Sequence, residues 1–173
     1  MPTIYHKQKG FLFLHIPKTG GTSICRMIEQ DIGVVVPTYG HRPLSELYRP
    51  EIVYTVRRCP YSRALSLWRY FGDTFMKNST FDQFLESLPV KHVDGWLVNP
   101  QSWFVGQYRI ENLRFETLET DVKNMQVRHG IVAPLGHLNR KQHPVHEWTN
   151  KQRILVEYIY ADDFGELYDP SYL

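Results

Sequence analysis

The chain has 173 residues, of which 42% are hydrophobic and 14% aromatic. That is enough for one domain with a packed core and too little for two full ones, and it argues against disorder. The formal net charge of +2 with neutral histidines gives no bulk electrostatic case for nucleic acid, so any anion preference must come from local placement of Arg and Lys.

The N-terminus, "MPTIYHKQKG", has no apolar segment of signal-peptide length. No stretch approaches the roughly 20 apolar residues needed to span a bilayer. Two cysteines, Cys25 and Cys59, make no disulfide framework and read as free thiols. Together these features predict a soluble, cytoplasmic protein with no membrane partner. The "NST" at Asn78 matches a glycosylation sequon by pattern alone.

"FLFLH" (Phe11–His15) is a short apolar run ending at a glycine-rich turn, as expected of a buried strand. A helix is predicted over Thr22–Gln30, with Ile24, Met27 and Ile28 on one face. "GVVV" (Gly33–Val36) reads as a second strand. "GHRPLSELYRP" reads as a loop with a short helix from Pro43. "EIVYTV" (Glu51–Val56) is a third strand, β-branched and bounded by turns. Pro60 suits the first turn of the next helix, in which Ala64, Leu67, Trp68 and Phe71 recur at helical spacing. Thr80 and Gln83 form a capping box for a helix with the apolar stripe Phe81, Phe84, Leu85 and Leu88. A fourth strand is expected around Leu113–Phe115, and Thr149 and Gln152 box the start of a last helix running to about Tyr160. Strands alternating with helices imply one α/β domain over residues 1–173, with a central parallel sheet covered on both faces as a three-layer sandwich.

The stretch "HIPKTGGTS" (His15–Ser23) carries the strongest chemical signal. In a strand–loop–helix unit the first helical N–H groups and the helix dipole face the loop and favour an anion. Gly20 and Gly21 allow close backbone approach, Thr22 and Ser23 add hydroxyl donors, and Lys18 adds a full charge. A nucleotide-hydrolysing P-loop requires G-x-x-x-x-G-K-[ST], with the lysine after the glycines. Here the lysine comes first, and no clear acidic strand end is present to hold Mg²⁺, so the pattern suggests an anion handled without a metal.

These residues resemble the 5′-phosphosulfate loop of the sulfotransferases that use 3′-phosphoadenosine 5′-phosphosulfate (PAPS), most closely the carbohydrate, Golgi- or heparan-type branch. The resemblance implies a P-loop NTPase-like sulfotransferase fold. It implies that Lys18 meets the bridging oxygen and leaving phosphate, while Thr19, Gly20, Gly21, Thr22 and Ser23 hold the 5′-phosphate. It also implies PAPS as donor, the 3′,5′-bisphosphate PAP as product, no metal, and a small-molecule or carbohydrate acceptor.

In "VRRCPYSRALSLW" (Val56–Trp68), Arg58, Pro60 and Ser66 reproduce the spacing of the family's 3′-phosphate motif. The resemblance assigns Arg58 and Ser66 to that phosphate. Arg57 occupies a slot expected to be apolar. Arg63 shares a helical face with Ser66 and is expected either to support the motif or to contact phosphate. Weaker similarity continues through "PQSWF", "IENLRFETL" and "YIYADDFGELY".

Transfer to a hydroxyl requires a base, and a neutral histidine with a pKa of about 6.5 suits that task. His41, just after the second strand, is the expected base, with Glu46 as the alternative. His15 is expected to orient the loop rather than to react. His137, His143 and His146 match no zinc spacing well. Arg140 and Lys141 lie in a late segment that, in the family, closes over nucleotide or acceptor. Trp103 or Trp148 is a weak candidate for stacking on a sugar near the cleft. Relative to the family the chain is short, without the membrane anchor and lumenal disulfides of Golgi members, which implies an open acceptor cleft. Two readings from other classes remain: an inactive nucleotide- or glycan-binding protein of the same fold, and a small-molecule kinase.

Overall fold

The computed structural model describes residues 3–31, 51–88, 97–105, 109–136 and 145–164. The predicted strand at Gly33–Val36 and the helix after Pro43 lie outside them. Four strands form one sheet in the order β1-β2-β3-β4: β1 Ile4–His6, β2 Phe11–Leu14, β3 Ile52–Arg57 and β4 Glu111–Arg114. β2, β3 and β4 are parallel, with Leu14 opposite Thr55 and Arg57 opposite Arg114.

The expected all-parallel sheet is corrected by β1, which pairs antiparallel with β2, Ile4 opposite Phe13. The connection is the reason. The four residues Lys7–Gly10 turn back at once, with Gly10 at φ 69° and its N–H donating to the His6 carbonyl at 2.9 Å. A parallel return needs a crossover of about a dozen residues or more. The sheet is therefore mixed.

Side chains alternate across it. Phe11, Phe13, Tyr54 and Val56 point to one face and pack with Ile24, Met27 and Ile28 of α1 (Gly21–Gln30) and with Val122 and Met125 of α5 (Leu118–His129). Leu12, Leu14 and Val53 point to the other, against Phe104 and Val105 of α4 (Gln101–Val105). Beyond the sheet, α2 (Pro60–Thr74), α3 (Phe81–Ser87) and α6 (Asn150–Ile159) share a second core containing Ala64, Leu67, Phe71, Phe84, Leu85 and Val156. Both predicted capping boxes form, Thr80 with Gln83 and Thr149 with Gln152. The α6 box also serves α3, because Gln152 Nε2 donates to Asp82.

Pro60 stands at the first turn of α2, as predicted. The expected Leu113–Phe115 strand ends one residue early, and Phe115–Thr117 coil into a 3₁₀ turn leading into α5. Cys25 and Cys59 are free and buried, and burial pushes the Cys25 thiol up to about 12. No helix of the described residues is long and apolar enough to cross a membrane.

Candidate functional site

The loop between β2 and α1 is held from inside. Thr19 is fully buried and donates its hydroxyl to the Ile16 carbonyl at 2.9 Å. Lys18 takes the left-handed region at φ 64° and Gly20 follows at φ 85°. Left-handed backbone is uncommon for a residue with a side chain and concentrates at sites the surroundings over-determine. Gly21 is required for space: a Cβ there would stand 2.2 Å from His15 Cδ2. The His15 ring thus stands against the start of α1 and borders the cavity. Gly20 caps α1 without a side-chain hydrogen bond, and the first turn contains no acidic residue. The positive end of this helix is left to face whatever enters the loop.

The second segment leaves β3 beside it. Arg57 is buried and donates Nε to Asn112 Oδ1 at 3.3 Å, so it belongs to the sheet and does not line the cavity. Arg58 turns to the cavity. Its Nε donates to Ser62 Oγ at 2.9 Å and its Nη1 to the Lys18 carbonyl at 3.0 Å, while the guanidinium lies 4.1 Å from the centre of the Phe115 ring. Burial pushes the pKa of both arginines down to about 10, partly opposed at Arg57 by Asp163 and at Arg58 by Glu116. Both remain cations at neutral pH.

The Arg58 backbone is clamped from α4. Gln101 Oε1 accepts from the Arg58 N–H at 2.9 Å, and Gln101 Nε2 donates to the Arg58 carbonyl at 2.8 Å. Asp163, past the end of α6, in turn accepts from the backbone N–H groups of Gln101 and Ser102, each at 2.8 Å, and so caps α4. Glu116 accepts from the Cys59 N–H at 2.9 Å at the entry to α2.

A cavity of about 790 Å³ opens between these parts. That falls within the usual range of roughly 300–1,000 Å³ for small-molecule sites. Lys18, Gly20, Thr22, Ser23, Arg58 and Ser66 all line it, joined by Tyr70, Phe115, Glu116 and Glu119. The two segments read separately from the sequence therefore share one space at the carboxyl ends of neighbouring parallel strands, where such sheets bind ligands. Thr19 and Gly21 do not line it, because one hydroxyl is spent inside the loop and the other residue is covered by His15.

Arg63 is only 1% exposed and does not line the cavity; of its two expected roles, its contacts are those of loop support. Its Nε donates to the Pro17 carbonyl and its Nη2 to the Leu97 carbonyl, both at 3.1 Å. Neither candidate tryptophan borders this cavity. Trp148 packs among Tyr61, Phe81 and His146, and Trp103 lies against Phe104. His146 bonds Gln152 at 3.0 Å. His41, Glu46, His137, Arg140, Lys141 and His143 lie outside the described residues. Gln101, Asp163, Tyr70, Phe115 and Glu116 went unassigned in the sequence. Only "PQSWF", "IENLRFETL" and the Asp-Phe turn gave any signal, as resemblance without a role.

Compared with known proteins, the chain matches no family model, no curated protein and no solved structure.

Proposed function

We propose that the chain is a cytoplasmic sulfotransferase that moves a sulfuryl group from PAPS to an acceptor hydroxyl, that of a carbohydrate in the first instance. One observation carries this reading: Lys18, Gly20, Thr22 and Ser23 converge with Arg58 and Ser66 on a single cavity. Two cationic, hydroxyl-bearing walls suit one ligand with a phosphate at each end. When bound, the donor supplies the activated sulfuryl group. Lys18 and the start of α1, which has no side-chain cap, stabilise negative charge developing at the loop, and Arg58 with Ser66 holds the second phosphate. His41 removes the acceptor proton, with Glu46 as the alternative base; both assignments rest on the sequence. Most of the catalysis is then positioning and electrostatics, with the cation supplied by Lys18. The free thiols Cys25 and Cys59 are in keeping with a reducing compartment.

The test is calorimetric titration with 3′,5′-adenosine bisphosphate without metal, set against ATP with Mg²⁺. Tight binding of the bisphosphate that is lost in Arg58→Ala supports the reading. Binding of ATP with no binding of the bisphosphate overturns it in favour of a kinase. Bisphosphate binding with no transfer to any hydroxyl acceptor leaves an inactive nucleotide-binding protein.

A further inference from the structure

Lys18 is gripped at two points, and its neighbour Pro17 at a third, by the segment that begins at Arg58. Its carbonyl accepts from Arg58 Nη1 at 3.0 Å. The preceding carbonyl, of Pro17, accepts from Arg63 Nε at 3.1 Å. Its ammonium sits 4.6 Å from the centre of the Tyr70 ring, inside the roughly 6 Å reach of a cation–π contact. Tyr70 follows Ser66 by one helical turn on α2, so the two share the face that lines the cavity. The ring is 41% exposed and borders the cavity, so it can be changed without opening the core.

We infer that Tyr70 is a positioning residue that holds the Lys18 ammonium over the cavity. The backbone grips alone set where the side chain starts, not where it ends. A lysine has four rotatable bonds beyond its Cα, and an exposed one samples many rotamers. The Tyr70 face offers the cation a place to rest at the cavity wall, so a bound anion meets a charge already aimed. The consequence for catalysis rests on the sulfotransfer reading; the positioning does not.

The experiment compares the intact protein with Tyr70→Phe and Tyr70→Leu. Phenylalanine keeps the ring face and leucine removes it. The first readout is the rate at which an amine-acylating reagent modifies Lys18 at fixed pH, followed by peptide mass in the absence of any nucleotide. A contact of this class corresponds to a change of about two- to fivefold, so acylation of Lys18 should rise by that factor in Tyr70→Leu and stay at the wild-type rate in Tyr70→Phe. The second readout is sulfate transfer from PAPS. Tyr70→Leu should lower kcat by a similar factor with little change in the KM for PAPS, and Tyr70→Phe should restore it. Equal acylation in all three proteins, or Tyr70→Phe behaving as Tyr70→Leu, overturns the inference. If 3′,5′-adenosine bisphosphate binds none of the three, the nucleotide reading falls, while the acylation rates still decide the role of Tyr70.

Discussion

Replacing Gly21 by alanine tests the tightest contact in the loop. The position is helical, so alanine suits the backbone and by propensity alone should stabilise by about 1 kcal/mol. Space decides otherwise. The new methyl would stand 2.2 Å from His15 Cδ2 and 2.9 Å from Nε2, and the ring it meets is buried, with Phe13 at 6.5 Å on one side. Either His15 or the first turn of α1 must move. Forced overpacking of this kind costs about 1–3 kcal/mol, which leaves a net loss of up to about 2 kcal/mol after the propensity gain. For a domain of this size that lowers Tm by up to about 8 °C. The decisive assay is a double-mutant cycle by thermal unfolding. In a His15→Ala background the methyl has room, so Gly21→Ala should become neutral or stabilising, with a coupling of about 2 kcal/mol between the sites. A Gly21→Ala protein more stable than wild type by the full propensity gain, or a cycle with no coupling, would refute the reasoning that glycine stands there to admit the histidine.

Arg58→Ala should weaken binding of adenosine 5′-phosphosulfate, which has no 3′-phosphate, by about tenfold, because the Nη1 bond to the Lys18 carbonyl that holds the loop is lost; calorimetry showing unchanged affinity for that ligand would confine Arg58 to the 3′-phosphate. Asp163→Ala removes the cap of α4 and should cost about 0.5–2 kcal/mol in denaturant unfolding while also lowering bisphosphate affinity through Gln101. Asp31 is pushed up by burial, but the Val132 N–H, His6 and Lys9 outweigh this and hold its carboxyl below the ordinary 3.8. Its stabilisation is thus present above that value and lost as pH falls through the lower folded one, so acid unfolding of Asp31→Asn should show a shallower pH dependence below about pH 4 than wild type.

Much of the frame was legible because its signals are local. β2, β3 and the two capping boxes are written in runs of four to six adjacent residues. The loop and the Arg58–Ser66 motif were legible for the same reason, each lying within a dozen residues. β1 escaped because three residues give too little alternation to register. α5 escaped because it buries only Val122 and Met125 and is polar around most of its circumference, so no apolar stripe marks it. For Arg63 the two expected roles could not be separated, because nothing near it in the sequence reveals that the Pro17 and Leu97 carbonyls wait for it. Tyr70 carries no motif and Gln101 only the weak resemblance of "PQSWF"; their roles exist only once distant segments meet.

The link from Asp163 through Gln101 to Arg58 has a consequence for how the protein is made. Asp163 lies 62 residues after Gln101, and Gln101 lies 43 residues after Arg58. During synthesis the glycine loop and β3 emerge first, yet the Gln101 clamp on the arginine wall cannot acquire its Asp163 anchor until the end of α6 has left the ribosome. Contacts of such long sequence separation form late, after loop closure has been overcome. A nascent chain released short of Asp163 should therefore hold a partly formed anion cradle whose arginine clamp lacks its anchor, and full anion affinity should be among the last properties the growing polypeptide acquires.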